Sequence, residues 1–262
     1  MKITTIGLIH IVCPVFCGIL VIANAAMAMP ITMVNPGFEN TAGQTDFFEF
    51  TFGEPVGWST YDPNNVVFGG SGITIGTLFP NGTDFFNTTA PEGDLVSILY
   101  GNNQFGLGEY GLTQTLSAVL EANTRYDVTV EVGNIASGTA QNGAFFNLDG
   151  FPGYRVQFLA GGQVVAEDDN SLAGIIPEGE FMTAGVSVTI GAIHPQLGQN
   201  IGIRLINRNE IPAGYTAQNS PDLEVDFDNI QLSANTAVPL PATFYLFAAG
   251  LTGIVIFKWK YA

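Results

Sequence analysis

Tyr126-Asp127-Val128-Thr129-Val130-Glu131-Val132 alternates apolar and polar side chains at every step. A period of two sends successive side chains to opposite faces, so this run is a β-strand with one face on a core and the other in water. Gly111-Leu112-Thr113-Gln114-Thr115-Leu116 repeats the pattern, with a turn at Leu120-Glu121-Ala122-Asn123-Thr124 between the two. The strands face one another or belong to opposing sheets, with Leu112, Leu116, Tyr126, Val128, Val130 and Val132 turned toward a common core.

Outward from this pair the same grammar continues. Tyr154 to Ala160 and Gln163 to Glu167 are joined by Gly161-Gly162, a two-residue hairpin signal. Further strands are expected at Asp94 to Tyr100, Phe181 to Ile190, Asn200 to Asn207 and Leu223 to Leu232. The loop from Asp46 to Pro55 crowds Phe47, Phe48, Phe50 and Phe52 with Glu49 and Glu54. Part of it is expected to pack over one end of the sheets with its carboxylates left wet. No segment carries a helical period, so the reading is all-β, a jelly-roll β-sandwich formed as one domain by residues 29–237.

The two ends differ from this domain. Met1-Lys2, an apolar segment from Ile6 to Ala23 and small residues at Ala26 and Ala28 predict a signal peptide over residues 1–28. Cys13 and Cys17 both lie inside it, which leaves the remaining chain without cysteine chemistry. Residues 238–262 comprise Val238-Pro239-Leu240-Pro241-Ala242, an uncharged apolar run to Phe257 and Lys258-Trp259-Lys260, the pattern of a transmembrane helix with a basic end. All 23 acidic residues lie between Glu39 and Asp228, against four arginines and no lysine in that span. Such a field repels phosphates and excludes nucleic acid as a partner, while it tolerates calcium.

The tail resembles the PEP-CTERM sorting signals, with Pro239 and Pro241 matching the two prolines and Leu240 standing where Glu is usual. That resemblance implies an exosortase-type processing enzyme as a partner and export to the cell surface or beyond. Asn35-Pro36-Gly37-Phe38-Glu39, Trp58, the strand from Gly111 to Leu116 and the ending Val225-Asp226-Phe227-Asp228-Asn229-Ile230 resemble carbohydrate-binding modules with a galactose-binding-like jelly roll. It implies a structural calcium ion at Glu39 and Asp228.

For a glycan ligand, a sugar ring needs an aromatic platform flanked by hydrogen-bonding side chains. Trp58, Tyr61, Asn102 and Tyr110 are the candidates, although Trp58 suits a core equally well. Catalytic residue types are sparse. His194, beside Pro195, reads as a turn residue, and the paired carboxylates Asp168 with Asp169 and Asp226 with Asp228 read as solvated. The expectation is therefore a non-enzymatic surface or extracellular-matrix protein, adhesive and capable of self-assembly as a homo-oligomer. The alternatives are a polysaccharide-binding module and a glycan-processing enzyme.

Overall fold

The computed structural model describes residues 28–67, 72–102 and 108–236. Among them are fifteen strands and no helix. In chain order these are β1 (Met29–Pro30), β2 (Thr45–Phe47), β3 (Phe50–Phe52), β4 (Ser59–Tyr61), β5 (Thr74–Leu78), β6 (Val96–Gly101), β7 (Tyr110–Val119) and β8 (Thr124–Asn134). They continue with β9 (Gly138–Thr139), β10 (Phe145–Phe146), β11 (Tyr154–Ala160), β12 (Gln163–Asp169), β13 (Glu180–Thr189), β14 (Asn200–Asn207) and β15 (Leu223–Thr236).

The alternating strands behave as their period requires. In β8, Tyr126, Val128, Val130 and Val132 are buried while Arg125 and Thr129 are exposed. β7 and β8 belong to different sheets and their apolar faces meet in the main core, with Leu112, Phe158, Leu205, Val225 and Phe227. Each large side chain so buried contributes about 1.5 to 3 kcal/mol. The Gly161-Gly162 hairpin forms as expected, both residues at positive φ (57° and 76°), which a two-residue turn of the type I′ family requires.

The layering is more complex than a jelly roll, and that expectation is corrected. One sheet of eight strands runs β13-β8-β15-β6-β5-β3-β2, with β1 pairing on β15. A five-stranded sheet runs β12-β11-β14-β7-β4, and β9 and β10 form a separate ribbon. The physical reason for the difference lies in β6 and β15, which are buried on both faces. Leu99, Val225 and Phe227 enter the main core, whereas Val96 and Ile98 turn the other way into a second apolar cluster with Phe50, Phe85, Phe86, Ile135 and Leu148. The outer face of the larger sheet is therefore roofed by the β2–β3 hairpin, the loop before β6 and the β9–β10 ribbon.

The expected signal peptide, save Ala28, and the expected sorting segment with Pro239, Leu240 and Pro241 lie outside the described residues. Among the described residues no helix is long and apolar enough to cross a membrane.

Candidate functional site

The roof over the outer face does not close completely. Beneath it is a cavity of about 540 Å³, its open mouth included, lined by Phe47, Phe50, Phe52, Phe85, Tyr100 and Phe146 together with Thr74, Ile98, Ile135, Leu148 and Glu224. Four segments supply the rings, with Tyr100 from β6 and Phe85 from the loop before it. The β2–β3 hairpin carries Phe47, Phe50 and Phe52, and its partner in the sheet is β5, with Phe50 opposite Leu78. Phe146 comes from the ribbon, its ring centroid 6.2 Å from those of Phe50, Phe85 and Tyr100. Glu49, buried in the hairpin turn, accepts a hydrogen bond from the Gln141 N–H at 2.8 Å and so ties the two walls together. The crowded Phe-Glu loop is thus a pocket wall, and this carboxylate is not wet.

The floor is a row across three strands. Glu224 of β15 lies opposite Tyr100 of β6, and Tyr100 lies opposite Thr74 of β5. Glu224 is only 4 % exposed, and its Oε1 has no hydrogen-bond partner. Burial pushes its carboxyl up to about 8; a hydrogen bond with Asp226 pulls against that rise and the nearby Asp222 carboxylate adds to it. Asp226, two residues along on the same strand face, is fully buried and shares that hydrogen bond with Glu224; burial, and then the charge of Glu224, raises it well above the usual range. Burial and then the Asp222 carboxylate also raise the Tyr100 hydroxyl, which stays neutral and hydrogen-bonds Asp222. Asn102 donates to Asp222 and braces this end of the cavity. A carboxylic acid kept protonated near neutral pH inside an aromatic pocket is suited to giving a proton to a bound molecule.

The residues singled out from the sequence are distributed differently. Trp58 lies in the main core, 5.4 Å from the Phe38 ring, and its indole N–H donates to the Asn35 carbonyl. Tyr110 is wholly buried there beside Asn207. Tyr61 sits on β4 at the edge of the smaller sheet, under the Arg204 guanidinium at 3.9 Å. None of these four lines the cavity, and Asn102 reaches it only through its hydrogen bond to Asp222, the partner of Tyr100. Asp168 is buried and accepts from Tyr154 and Ser171, while Asp169 pairs with Arg155 and Arg208, so those two acids do not act together.

Glu39 and Asp228 are brought together, with Glu92 between them. Glu39 accepts from the Asp94 and Leu95 N–H groups, and Asp228 accepts from the Glu92 and Asn229 N–H groups. Burial raises the Asp228 carboxyl to about 8, with added pressure from the Glu92 and Glu39 charges. Among the described residues no group of three or more His, Cys, Asp or Glu is arranged as a ready metal site.

Sequence reasoning missed Glu224. The available signal was Leu223-Glu224-Val225-Asp226-Phe227-Asp228, which puts three carboxylates on one face of a strand whose other face is wholly apolar.

Comparison with known proteins bears directly on the cavity. A family described as HpiC1-like, the HpiC1 cyclase, matches residues 29–233. Among solved structures, a cyclase from Fischerella sp. TAU is 39 % identical, with a TM-score of 0.66 over 81 % of this chain and all of that one. The Stig cyclase Fisc from the same source, in complex with (3Z)-3-(1-methyl-2-pyrrolidinylidene)-3H-indole, is 38 % identical with a TM-score of 0.67 and the same coverage. A third, in complex with 4-(1H-indol-3-yl)butan-2-one, is 39 % identical with a TM-score of 0.67, again over 81 % of this chain and all of that one. No match was found among curated proteins.

These matches overturn several expectations. The family similarity that spans the domain is to cyclases, which overturns the reading of the chain as a PEP-CTERM protein with a carbohydrate-binding domain. An adhesive, non-enzymatic or glycan-handling role is replaced by that of a cyclase-type enzyme. The surface-anchored localisation built on those resemblances is withdrawn with them. The error came from reading short motifs shared by sandwich folds as a statement about ligands, which a fold does not make.

Proposed function

Because the chain belongs to the HpiC1-like family of cyclases, we propose that it closes a ring in a flat, largely apolar small molecule of the indole type, with Glu224 as the general acid. The observation that carries this reading is the buried Glu224 carboxyl at the floor of an aromatic cavity, where burial raises its affinity for a proton. Relatives crystallised with indole compounds supply the ligand class.

The geometry suits the chemistry in a simple order. The aromatic walls, Tyr100 among them, bury the flat part of the substrate and exclude water. Glu224 transfers its proton to the substrate, its O–H bond breaking as a new bond to hydrogen forms. The electron-deficient substrate then closes its ring, and the proton it sheds returns to the Glu224 carboxylate. No atom is gained or lost, so the product is an isomer.

The test uses the whole protein. Calorimetry is expected to show 4-(1H-indol-3-yl)butan-2-one binding to both the wild type and Glu224→Gln. Incubation with indole-bearing alkenes is expected to give a product of unchanged mass and altered retention. General acid catalysis contributes about 10²- to 10⁴-fold, so Glu224→Gln should lose about that much rate. Turnover by Glu224→Gln at the wild-type rate would remove the acid from this mechanism.

We also propose a structural calcium ion at Glu39 and Asp228. Supporting it is the crowding of Asp228 by Glu92 and Glu39, a repulsion that a divalent cation relieves. The melting temperature should fall on adding a chelator and recover with calcium; an unchanged value removes the ion as a structural element.

A further inference from the structure

The charge balance of the cavity says more about what it holds than its shape does. Among the described residues none of those lining it is basic. The four arginines of the domain are engaged elsewhere. Arg125 pairs with Asp127, Arg155 with Glu109 and Asp169, and Arg208 with Asp169 and Glu210, while Arg204 lies over Tyr61. Glu224 lies at the cavity floor; Asp226, next to it on the strand face, hydrogen-bonds it and Asp222 hydrogen-bonds Tyr100, although neither of these two aspartates lines the cavity. The walls are six aromatic rings, whose faces carry the negative end of a quadrupole.

An uncharged, apolar ligand gains nothing from that electrostatic arrangement. It would bind as well among leucines, and a cluster of acids under it would only add desolvation cost. A cation gains from both features at once, from the ring faces and from the carboxylate that Glu224 becomes after giving up its proton.

We propose that this cavity is built to hold positive charge on its ligand, so that organic cations of the ammonium or iminium class bind it more tightly than neutral molecules of the same shape. This inference rests on the ring-closing reading and names its electrostatics. Proton transfer from Glu224 creates a substrate cation and a carboxylate within the same pocket. The pair carries no net charge, the aromatic faces hold the cation while the ring forms, and the returning proton discharges both. A stable organic cation imitates that intermediate and therefore inhibits.

Calorimetry on the wild-type protein at neutral pH tests this with two probes of nearly equal shape. One is neutral 4-(1H-indol-3-yl)butan-2-one; the other is the 2-(indol-3-yl)ethyl-dimethylammonium ion, in which a protonated nitrogen replaces the carbonyl carbon. The ammonium ion is expected to bind at least tenfold more tightly. Phe146→Leu, which keeps an apolar wall and removes one ring, should weaken the ammonium ion more than the ketone and so cut that preference several-fold. Equal or tighter binding of the ketone overturns the inference and leaves the ring-closing reading standing. Failure of both probes to bind brings down the ring-closing reading itself. The comparison of probes is made on the natural sequence, so it holds even where a variant fails to fold.

Discussion

Glu224 and Tyr100 face each other across two neighbouring strands, and each is useful because the other is there. Burial keeps the acid protonated near neutral pH, and the same burial keeps the phenol neutral. Tyr100→Phe removes the hydroxyl that donates to Asp222 and leaves the ring. A hydrogen bond to a charged group is worth about 1.5 to 3 kcal/mol, so the melting temperature should fall while calorimetric affinity for 4-(1H-indol-3-yl)butan-2-one changes little. A variant that melts as wild type but binds the ketone more weakly would show that the hydroxyl serves the ligand instead. At this scale the sequence was half legible. It displayed the carboxylates of the last strand but gave no sign that they face a roof, because burial of the second face depends on segments far earlier in the chain. Trp58 was the reverse case, a side chain conspicuous in sequence that the fold places in its core.

At the level of elements, strands with one wet face could be read directly and strands with two dry faces could not. β8 shows its alternation as buried and exposed positions in turn. β6, read from Val-Ser-Ile-Leu-Tyr, is almost continuously apolar, which fixes a strand but does not say what covers each side. The hairpin β2–β3 and the ribbon β9–β10 are two or three residues per strand. Elements so short carry no measurable period, yet they form the walls of the cavity. They stand because side chains far apart in sequence meet: Phe50 with Phe85 and Phe146, and Glu49 with the Gln141 amide.

For the whole molecule the consequence is a dependence of stability on pH. Glu224 holds a proton up to about 8 in the folded chain, chiefly through burial. The unfolded chain releases that proton near pH 4. Between those limits the folded state binds more protons than the unfolded one, so stability is fullest at the acid end of the window and declines as pH rises toward about 8. Thermal melts followed by circular dichroism should show the midpoint falling from about pH 5 to about pH 8, and Glu224→Gln should flatten part of that slope. A midpoint that rises steadily over the range would contradict the burial of neutral acids beneath the roof.

The sequence by itself determined that the chain is all-β, where its longer strands run, which faces of β7 and β8 meet, and where the chain turns at Gly161-Gly162. These follow from local periodicity and local backbone preference, which a strand carries within its own residues. Only the tertiary structure decided that the larger sheet has a second buried face, that three short elements roof it with aromatic rings, and that one carboxyl of an acidic strand lies beneath them. A proton on Glu224 is held by surroundings contributed from β2 to β15, and no stretch of sequence contains those surroundings together.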